Sequence, residues 1–242
     1  MPLHFIVESA SGAVAGDVVS LTGAEAKHAA VVRRLRVGEQ VTLGDGAGVW
    51  LSGTVHDVSA TRVDVRIDDR SVLDAPGARI VLVQALAKGD RDELAVQAAC
   101  ELGVDAIVPW QAARSISRWE GAKAIKGRER WTSIVREAAK QAHRPWVPEV
   151  TAPESTSQLA ERASTQRVLV LDPTADVRLS DITPDDRDIL LVVGPEGGIA
   201  DDELRRLTDA GAERVLLGDT VLRTSTAGPA AIAVLSVALG RW

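Results

Sequence analysis

The stretch Ile189-Leu190-Leu191-Val192-Val193 runs directly into Gly194-Pro195-Glu196-Gly197-Gly198, and a helix is predicted after it at residues 201–210. Five consecutive apolar residues are typical of a strand buried on both faces, as in a parallel sheet covered by helices. The glycine-rich turn then lies at the carboxyl edge of the sheet, where α/β proteins bind ligands. Its glycine spacing differs from that of dinucleotide-binding and phosphate-binding loops. The stretch therefore predicts an α/β domain with a ligand loop, although a turn without a ligand fits the pattern equally well.

Four further apolar runs, at residues 80–87, 106–110, 168–172 and 215–217, predict additional buried strands. Helices are predicted between them at residues 90–102 and 128–143. The first of these helices begins with Asp90 and Glu93 in the spacing of a capping box, and it places Leu94, Ala98, Cys100 and Leu102 near one face, with Cys100 expected in the core. Strands that alternate with helices predict a mostly parallel sheet.

A second irregular segment, residues 216–227, follows the run at 215–217 and precedes an apolar helix predicted at 227–239. Thr226 is the predicted N-cap of this helix, and Pro229 falls in its first turn, where a missing N–H costs little. The helix is apolar on nearly all of its faces, which favours burial in a subunit interface.

The first seventy residues predict a small β-barrel with one inserted helix. Strands are predicted at 4–7, 41–43, 49–55 and 62–67, with Asp45-Gly46 as a hairpin turn. Thr22 and Glu25 have capping-box spacing before a helix at 26–35. Residues 71–78 have the composition of a linker. We therefore expect one domain at residues 1–72 and a second at 73–242.

Composition narrows the possible chemistry. Of the 242 residues, 45% are hydrophobic, and Cys100 is the only cysteine. An internal disulfide and a cysteine-rich zinc site are thereby excluded, and the four histidines lack metal-ligand spacing, so no metal is expected. The longest apolar run, 230–239, is shorter than the roughly 20 residues that cross a bilayer, and no signal peptide is recognisable. We expect a cytoplasmic protein that does not enter membranes.

The charge distribution bears on a nucleic-acid partner. The net charge of −6 opposes phosphate binding, but residues 114–144 contain nine basic and three acidic residues. This segment predicts either an RNA-binding surface or an ordinary solvated helix face.

Taken in order along the chain, these motifs resemble the ribosomal RNA small-subunit methyltransferase E family of the SPOUT methyltransferases. The two glycine-containing segments carry the resemblance. Further matching segments are His28 with Arg33, Leu35 and Arg36; Lys88-Gly89-Asp90; Glu101-Leu102-Gly103-Val104; Pro109; Arg114-Ser115; Glu137-Ala138-Ala139 with Gln141 and Arg144; and Val147-Pro148-Glu149-Val150. The resemblance covers essentially the whole chain.

The resemblance implies an N-terminal PUA-like β-barrel and a C-terminal α/β methyltransferase domain whose backbone forms a trefoil knot. It also implies a homodimer that uses S-adenosylmethionine to methylate N3 of a uridine in 16S ribosomal RNA within the 30S subunit. The cofactor is expected among three loops, the first at residues 171–173. Candidate cofactor contacts are Leu171, Gly194, Pro195, Glu196, Gly197, Gly198, Leu216, Leu217, Gly218, Val221, Leu222, Thr224, Thr226 and Ala227.

Candidate RNA contacts are basic residues of both domains, which would bind phosphates or bases. They are Arg33, Arg34, Arg36, Lys88, Arg114, Arg118 and Arg144. Trp119 is the tryptophan best placed in the sequence to stack on a base, whereas Trp110 ends a buried strand and is expected in the core.

The chemistry of the acceptor selects two candidate catalytic residues. The N3–H of uridine is a weakly acidic imide, and negative charge develops on the flanking carbonyls as its proton leaves. Arg223 is the candidate to stabilise that charge, or else it ties its loop to a carboxylate of the same or the partner subunit. Glu196 is the candidate base, or else it holds a loop or caps a helix. Ser225 stands where the family usually has Glu, so no carboxylate is available there.

Two other activities fit the same motifs. A ribose 2′-O-methyltransferase of the same superfamily would use the same cofactor on a different acceptor atom. An RNA-binding ribosome assembly factor without catalytic activity is the other alternative, and Ser225 makes it conceivable.

Overall fold

The computed structural model describes residues 2–242 and divides the chain into two packing units. The first unit comprises the residues up to Ala75 together with Ala139–Val147, and the second comprises Pro76–Ala138 and Pro148–Trp242. This division differs from the boundary predicted between residues 72 and 73. The segment 139–147 joins the first unit because its side chains pack there: the Trp146 indole N–H, for example, donates to the Leu73 carbonyl at 3.2 Å.

The first unit is built on one five-stranded sheet. Its strands are β1 (Leu3–Ile6), β2 (Val18–Thr22), β3 (Gln40–Gly44), β4 (Val49–Val58) and β5 (Arg62–Val72). Their order is β1-β3-β4-β5-β2; β1 pairs with β3 in parallel, and the other neighbours are antiparallel. The alternation that predicts β5 holds, since Val63, Val65 and Ile67 are buried in the core of this unit. β2 is not among the strands predicted from the sequence.

The helix predicted at residues 26–35 begins earlier and changes its pitch. α1 (Gly23–Lys27) continues as a π-helical turn over His28–Val32. The predicted capping box is wrong, because the Thr22 side chain makes no capping hydrogen bond. The Glu25 carboxylate instead accepts a hydrogen bond from the buried Lys140 ammonium at 3.0 Å. Glu25 thus pairs with a residue 115 positions away in the sequence rather than with the backbone at the helix N-terminus.

His4 is buried on β1 and stacks on the Trp50 ring, with centroids 4.2 Å apart and ring planes at 9°. Its Nδ1 lies 2.9 Å from the Thr42 hydroxyl. Burial lowers the pKa of the His4 imidazole to about 4, and the nearby His143 and Lys140 add to the shift. The folded chain therefore favours the neutral imidazole.

Acidification is expected to destabilise the protein through His4. Its pKa falls from 6.5 to about 4 on folding, so the stabilisation is complete above pH 6.5 and is lost as the pH falls toward 4. The loss amounts to about 3 kcal/mol. His4→Phe retains a ring against Trp50. Between pH 6.5 and 4, its free energy of unfolding in urea should fall by about 3 kcal/mol less than that of the wild type. His56→Gln, at an exposed histidine, is the control; equal pH dependence in His4→Phe and wild type would contradict the assignment.

The second unit contains a six-stranded, wholly parallel sheet. Its strands are β6 (Ile80–Ala85), β7 (Ala106–Trp110), β8 (Glu149–Val150), β9 (Arg167–Leu171), β10 (Ile189–Val193) and β11 (Glu213–Val215). Their order is β11-β9-β10-β6-β7-β8. The carboxyl ends of β6, β9, β10 and β11 therefore lie at one edge of the sheet.

Helices cover both faces of this sheet. The helices of this unit are α2 (Arg91–Glu101), α3 (Ala122–Gln141, whose last three residues belong to the first unit), α4 (Thr156–Arg162), α5 (Asp201–Asp209) and α6 (Thr224–Ala238). Leu159 of α4 and Leu207 of α5 share a core cluster with β10, while α2 and α6 contact β6. Burial on both faces explains why the strands are continuous apolar runs. No helix within residues 2–242 has both the length and the apolar character needed to span a membrane.

The first turn of α2 differs from its prediction. The Asp90 side chain makes no capping hydrogen bond. The carboxylate of Asp92, also in the first turn, accepts a hydrogen bond from the N–H of Ala87, which precedes the helix, at 3.1 Å. Leu94 is 51% exposed whereas Cys100 is fully buried, so the two do not share one buried face as predicted. Cys100 is buried as predicted.

α6 begins three residues before its predicted start, with Arg223 as the N-cap. Thr226 is therefore not the N-cap, and its hydroxyl donates to the Arg223 carbonyl at 3.2 Å. Pro229 consequently lies in the second turn rather than the first. Gly228 lets α6 approach the sheet closely, because a Cβ at this position would lie 3.0 Å from Leu82 Cδ1.

Candidate functional site

A cavity of about 620 Å³ lies at the carboxyl edge of the parallel sheet. Three loops surround it, at residues 171–174 after β9, 193–199 after β10 and 216–224 after β11. Its lining residues are Arg91, Leu171, Asp172, Pro173, Thr174, Val193, Gly194, Pro195, Glu196, Gly198, Ile199, Asp201, Leu204, Leu216, Leu217, Gly218, Thr220, Val221, Leu222, Arg223, Thr224 and Ala227.

Twelve of the fourteen candidate cofactor contacts line this cavity. Gly197 and Thr226 do not. Gly197 faces Arg114, since a Cβ on Gly197 would lie 3.3 Å from Arg114 Cβ. The Thr226 hydroxyl is directed to the helix backbone as described above. The cavity thus brings together Leu171 and Leu216, which are 45 positions apart in the sequence.

The loop after β10 is tied to the start of α2 through Glu196. Its carboxylate accepts hydrogen bonds from the Arg91 guanidinium at 2.9 Å and from the Lys88 N–H at 3.2 Å. Partial burial would raise the pKa of the Glu196 carboxyl, but hydrogen bonds from its own backbone, Arg91 and Lys88 outweigh burial and lower the pKa below its usual value. A carboxylate held in this way is a weak base.

Arg114 ties the other end of the same loop. Its guanidinium donates to the carbonyls of Gly197 and Ile199, both at 3.3 Å. The residue is named above as a candidate RNA contact, and its observed contacts are to the loop that borders the cavity. Half of its side chain remains exposed, so these contacts leave part of the guanidinium accessible.

The loop after β9 is held by Asp172. Its carboxylate accepts from the Thr174 N–H at 2.8 Å and from Arg214 at 2.7 Å. Burial would raise the pKa of the Asp172 carboxyl, but the hydrogen bonds from Thr174 and Arg214 lower it overall. Asp172 lies in the predicted cofactor loop at residues 171–173 without being named as a contact, and Thr174 follows that loop directly.

The loop after β11 presents Arg223 and Thr224 at the start of α6. Thr224 is buried and donates its hydroxyl proton to the Gly194 carbonyl at 2.9 Å. Arg223 is exposed and lines the cavity. Within residues 2–242, the Arg223 guanidinium makes no hydrogen bond or ion pair, so no described carboxylate of the same chain anchors it. A cation without a protein partner is therefore available beside the cavity.

Arg91, Ile199, Asp201 and Leu204 also line the cavity but are not among the sequence candidates. The rule that ligands bind where parallel strands end favours the whole segment 193–204, since it begins with the last residue of β10. Arg91 lies in a helix, and the sequence carries no signal that joins it to Glu196.

The remaining basic candidates are described unit by unit. In the first unit, Arg33, Arg34 and Arg36 are exposed around the buried Leu35, and Arg34 has a φ of 55°. Arg144 belongs to the same unit and is partly buried. In the second unit, Lys88 and Arg118 are exposed, and the Arg118 guanidinium donates to the Ala113 carbonyl at 3.4 Å.

The candidate stacking role of Trp119 conflicts with its packing. Its ring contacts Trp131 edge to face, with centroids 5.0 Å apart. A Cβ on Gly127 would lie 2.5 Å from the Trp119 ring, so the indole packs directly on the α3 backbone. Trp110 is fully buried, as predicted. The residues described, 2–242, contain no cluster of three or more side chains suited to binding a metal ion.

Two family models match the chain. One is described as an RNA methyltransferase domain and matches residues 74–236; the other is described as an RNA methyltransferase PUA domain and matches residues 21–68. The ribosomal RNA small subunit methyltransferase E of Mycobacterium tuberculosis is 44% identical over 233 residues, which cover 94% of this chain and 89% of that protein. The Bacillus subtilis protein of the same name is 32% identical, over 90% of this chain and 89% of its own length.

A solved structure of similar shape extends the match to three dimensions. The crystal structure of the ribosomal RNA small subunit methyltransferase E from Neisseria gonorrhoeae, bound to S-adenosyl methionine, is 30% identical to this chain. The two superpose with a TM-score of 0.88, and the match covers 98% of each. From these matches over nearly its whole length, the chain belongs to the ribosomal RNA small subunit methyltransferase E family and has a PUA-like N-terminal domain.

Proposed function

We propose that this chain transfers a methyl group from S-adenosylmethionine to N3 of a uridine in the 16S ribosomal RNA of the 30S subunit, in the cytoplasm. The observation that carries the proposal is the cavity of about 620 Å³ between the three loops. It lies where α/β sheets bind their ligands. The related Neisseria gonorrhoeae protein, which this chain matches over 98% of its length, was crystallised with that cofactor.

The cavity lining suits a cofactor that combines a purine nucleoside with a charged amino acid. Its volume lies within the range of roughly 300–1,000 Å³ typical of small-molecule sites. Leu171, Leu216 and Leu217 offer apolar surface to a flat ring, while Gly194 and Gly198 let backbone polar groups come close. The bound cofactor would supply a methyl group activated by a sulfonium. The twelve candidate contacts that line the cavity remain our proposed cofactor contacts.

Arg223 is the proposed catalytic residue. As the N3 proton leaves, negative charge spreads onto the two flanking carbonyls of the uracil ring. A permanently charged guanidinium beside the methyl donor would stabilise this charge most strongly in the transition state. The lack of any partner for Arg223 within residues 2–242 supports this role over an ion pair with a carboxylate of the same chain.

Glu196 we propose as a positioning residue rather than the base. Its lowered pKa and its hydrogen bonds to Arg91 and the Lys88 N–H favour a carboxylate that holds the loop after β10. Water at the acceptor would then take the N3 proton, before or while the bond between N3 and the methyl group forms. The catalytic role predicted for Glu196 from the sequence is not part of this proposal.

A homodimer and a trefoil knot belong to the same proposal. Three apolar side chains beside the cavity and on α6 are exposed, namely Val221, Leu222 and Val237, and a second subunit would cover them. The knot is supported by the course of the chain after β11. From this edge strand the backbone returns to pack α6 on β10 and β6, while a bridge joins Arg178 to Leu216.

RNA binding is proposed for basic residues of both units, all of them exposed except the partly buried Arg144, through phosphate contacts. These are Arg33, Arg34, Arg36, Lys88, Arg114, Arg118 and Arg144. Arg114 would serve both the RNA and the loop after β10, since half of its side chain is exposed. Trp119 is not proposed as a stacking residue because its ring is already packed.

Deletion of the gene tests the proposed acceptor atom. Methylation at N3 blocks Watson–Crick pairing, so reverse transcription of wild-type 16S RNA should stop one nucleotide before the modified uridine. The deletion strain should lack this stop, and expression of the wild-type chain should restore it while expression of the Arg223→Ala variant should not. A stop that persists in the deletion strain would rule the proposal out.

Mass spectrometry of the nucleosides separates the alternatives. A ribose 2′-O-methyltransferase would add the missing methyl group to the sugar fragment, whereas our proposal requires it on the base. A chain that restores subunit assembly but never binds S-adenosylmethionine in calorimetry would instead be an assembly factor. Either result would contradict the proposed activity.

A further inference from the structure

Gln84 is a fully buried polar residue at the carboxyl end of β6. It pairs in register with Val193, the residue that precedes the glycine-rich loop. Its side-chain amide donates to the Thr224 hydroxyl at 2.9 Å and to the Ala85 carbonyl at 3.1 Å. Gln84 does not line the cavity, yet it is one hydrogen bond away from a residue that does.

The number of protons at Thr224 determines which group donates in its hydrogen bond with Gln84. The Thr224 hydroxyl has one proton, and the Gly194 carbonyl, 2.9 Å away, can only accept it. The Thr224 oxygen must therefore accept its second hydrogen bond, and the donor is the Gln84 amide. A reversed amide would bring the Gln84 oxygen to 3.1 Å from the Ala85 carbonyl, where two acceptors repel. The chain of hydrogen bonds thus runs one way, from Gln84 through Thr224 to Gly194.

This chain joins two of the three loops that surround the cavity. Gly194 begins the loop after β10, and Thr224 ends the loop after β11 and begins α6. Gln84 stands outside both loops on a rigid central strand. Buried hydrogen bonds of this kind hold groups in one arrangement, because a broken one leaves an unsatisfied polar group away from water.

We propose that Gln84 is a positioning residue for cofactor binding, which fixes the loops at Gly194 and Thr224 in the arrangement that S-adenosylmethionine requires. The inference rests on the proposed function for the identity of the ligand. The Gln84 amide would thereby raise the affinity for the cofactor without contacting it.

Calorimetric titration of the full-length chain with S-adenosylmethionine tests this role. Gln84→Met keeps the volume of the side chain and removes the donor, and Thr224→Val keeps the shape and removes the hydroxyl. Each is expected to raise the Kd about tenfold, the effect of one lost buried hydrogen bond. The double variant should bind the cofactor only slightly more weakly than the weaker-binding single variant, because both substitutions break the same chain of hydrogen bonds. Thr224→Ser, which restores the hydroxyl, should bind within about twofold to threefold of wild type.

Ser236→Ala is the matched control, since Ser236 is a buried polar residue on α6 outside the cavity. It should bind the cofactor like the wild type. A folded Gln84→Met variant with unchanged Kd would overturn the proposal, as would losses that simply add in the double variant. If Gln84→Met does not fold, the test becomes the comparison of cofactor Kd between Thr224→Val and Thr224→Ser. Equal Kd values for these two variants overturn the proposal. Absence of binding by the wild type would refute the proposed cofactor instead.

Discussion

Replacement of Arg223 by alanine is expected to lower kcat on 30S subunits by about a hundredfold to a thousandfold, the usual effect of removing one group that stabilises developing negative charge. The Kd for S-adenosylmethionine should change much less, because the charge that Arg223 meets belongs to the acceptor base. Folding should be unaffected, since the side chain is exposed and makes no hydrogen bond or ion pair within residues 2–242. Steady-state methylation rates combined with cofactor titration measure both quantities.

Two variants make this result specific. Arg223→Lys keeps the charge but loses the planar fork of donors, so it should recover only part of the rate. Arg187→Ala removes another exposed arginine, located just before β10 at the opposite edge of the sheet, and should leave kcat unchanged. A wild-type rate for Arg223→Ala on intact subunits would refute the catalytic assignment. An equal loss in cofactor affinity and in rate would make Arg223 a cofactor contact instead.

Gly194→Ala is expected to weaken cofactor binding by about fivefold to a hundredfold, which is the second large effect. A Cβ at this position would lie 2.7 Å from Cγ1 of Ile199, closer than packed side chains allow. Ile199 lines the cavity, so its displacement changes the surface that meets the cofactor. Such overpacking costs about 1–3 kcal/mol, and each 1.4 kcal/mol corresponds to a factor of ten in affinity.

Gly77→Ala is the control for this variant, because a Cβ there would meet no atom within 4 Å. Its cofactor Kd and melting temperature should match the wild type. Calorimetry of both variants provides the comparison. If Gly194→Ala binds as tightly as Gly77→Ala, the loop after β10 yields to the added methyl group and is less rigid than its contacts indicate.

Four of the six buried strands of the second unit could be predicted closely from the sequence, whereas β8 was not predicted and β11 overlaps its predicted run only at Val215. β7 and β10 have their predicted bounds, because a run of apolar residues ends where the strand leaves the core. The helix starts were less predictable. Both predicted capping boxes fail, since Glu25 pairs with Lys140, 115 positions away, and Glu93 pairs with Arg130. Spacing within one turn carries no information about a partner so distant.

The same limit applies to the site. The loops at Gly194 and Leu216 were predictable because each follows a buried strand. The residues that hold them were not: Arg91 pairs with Glu196 across 105 positions, and Gln84 meets Thr224 across 140. A glutamine within an apolar strand shows in the sequence that it needs a partner, but only the fold identifies that partner.

Each cavity loop is held by a side chain that comes from outside it. Arg91 and Arg114 hold the loop after β10, Gln84 holds the loop at Thr224, and Arg214 holds the loop at Asp172. A site organised before its ligand arrives loses little conformational entropy on binding. The amide protons of these loops should therefore exchange slowly with solvent even without cofactor, and binding should be nearly as fast as diffusion and orientation permit.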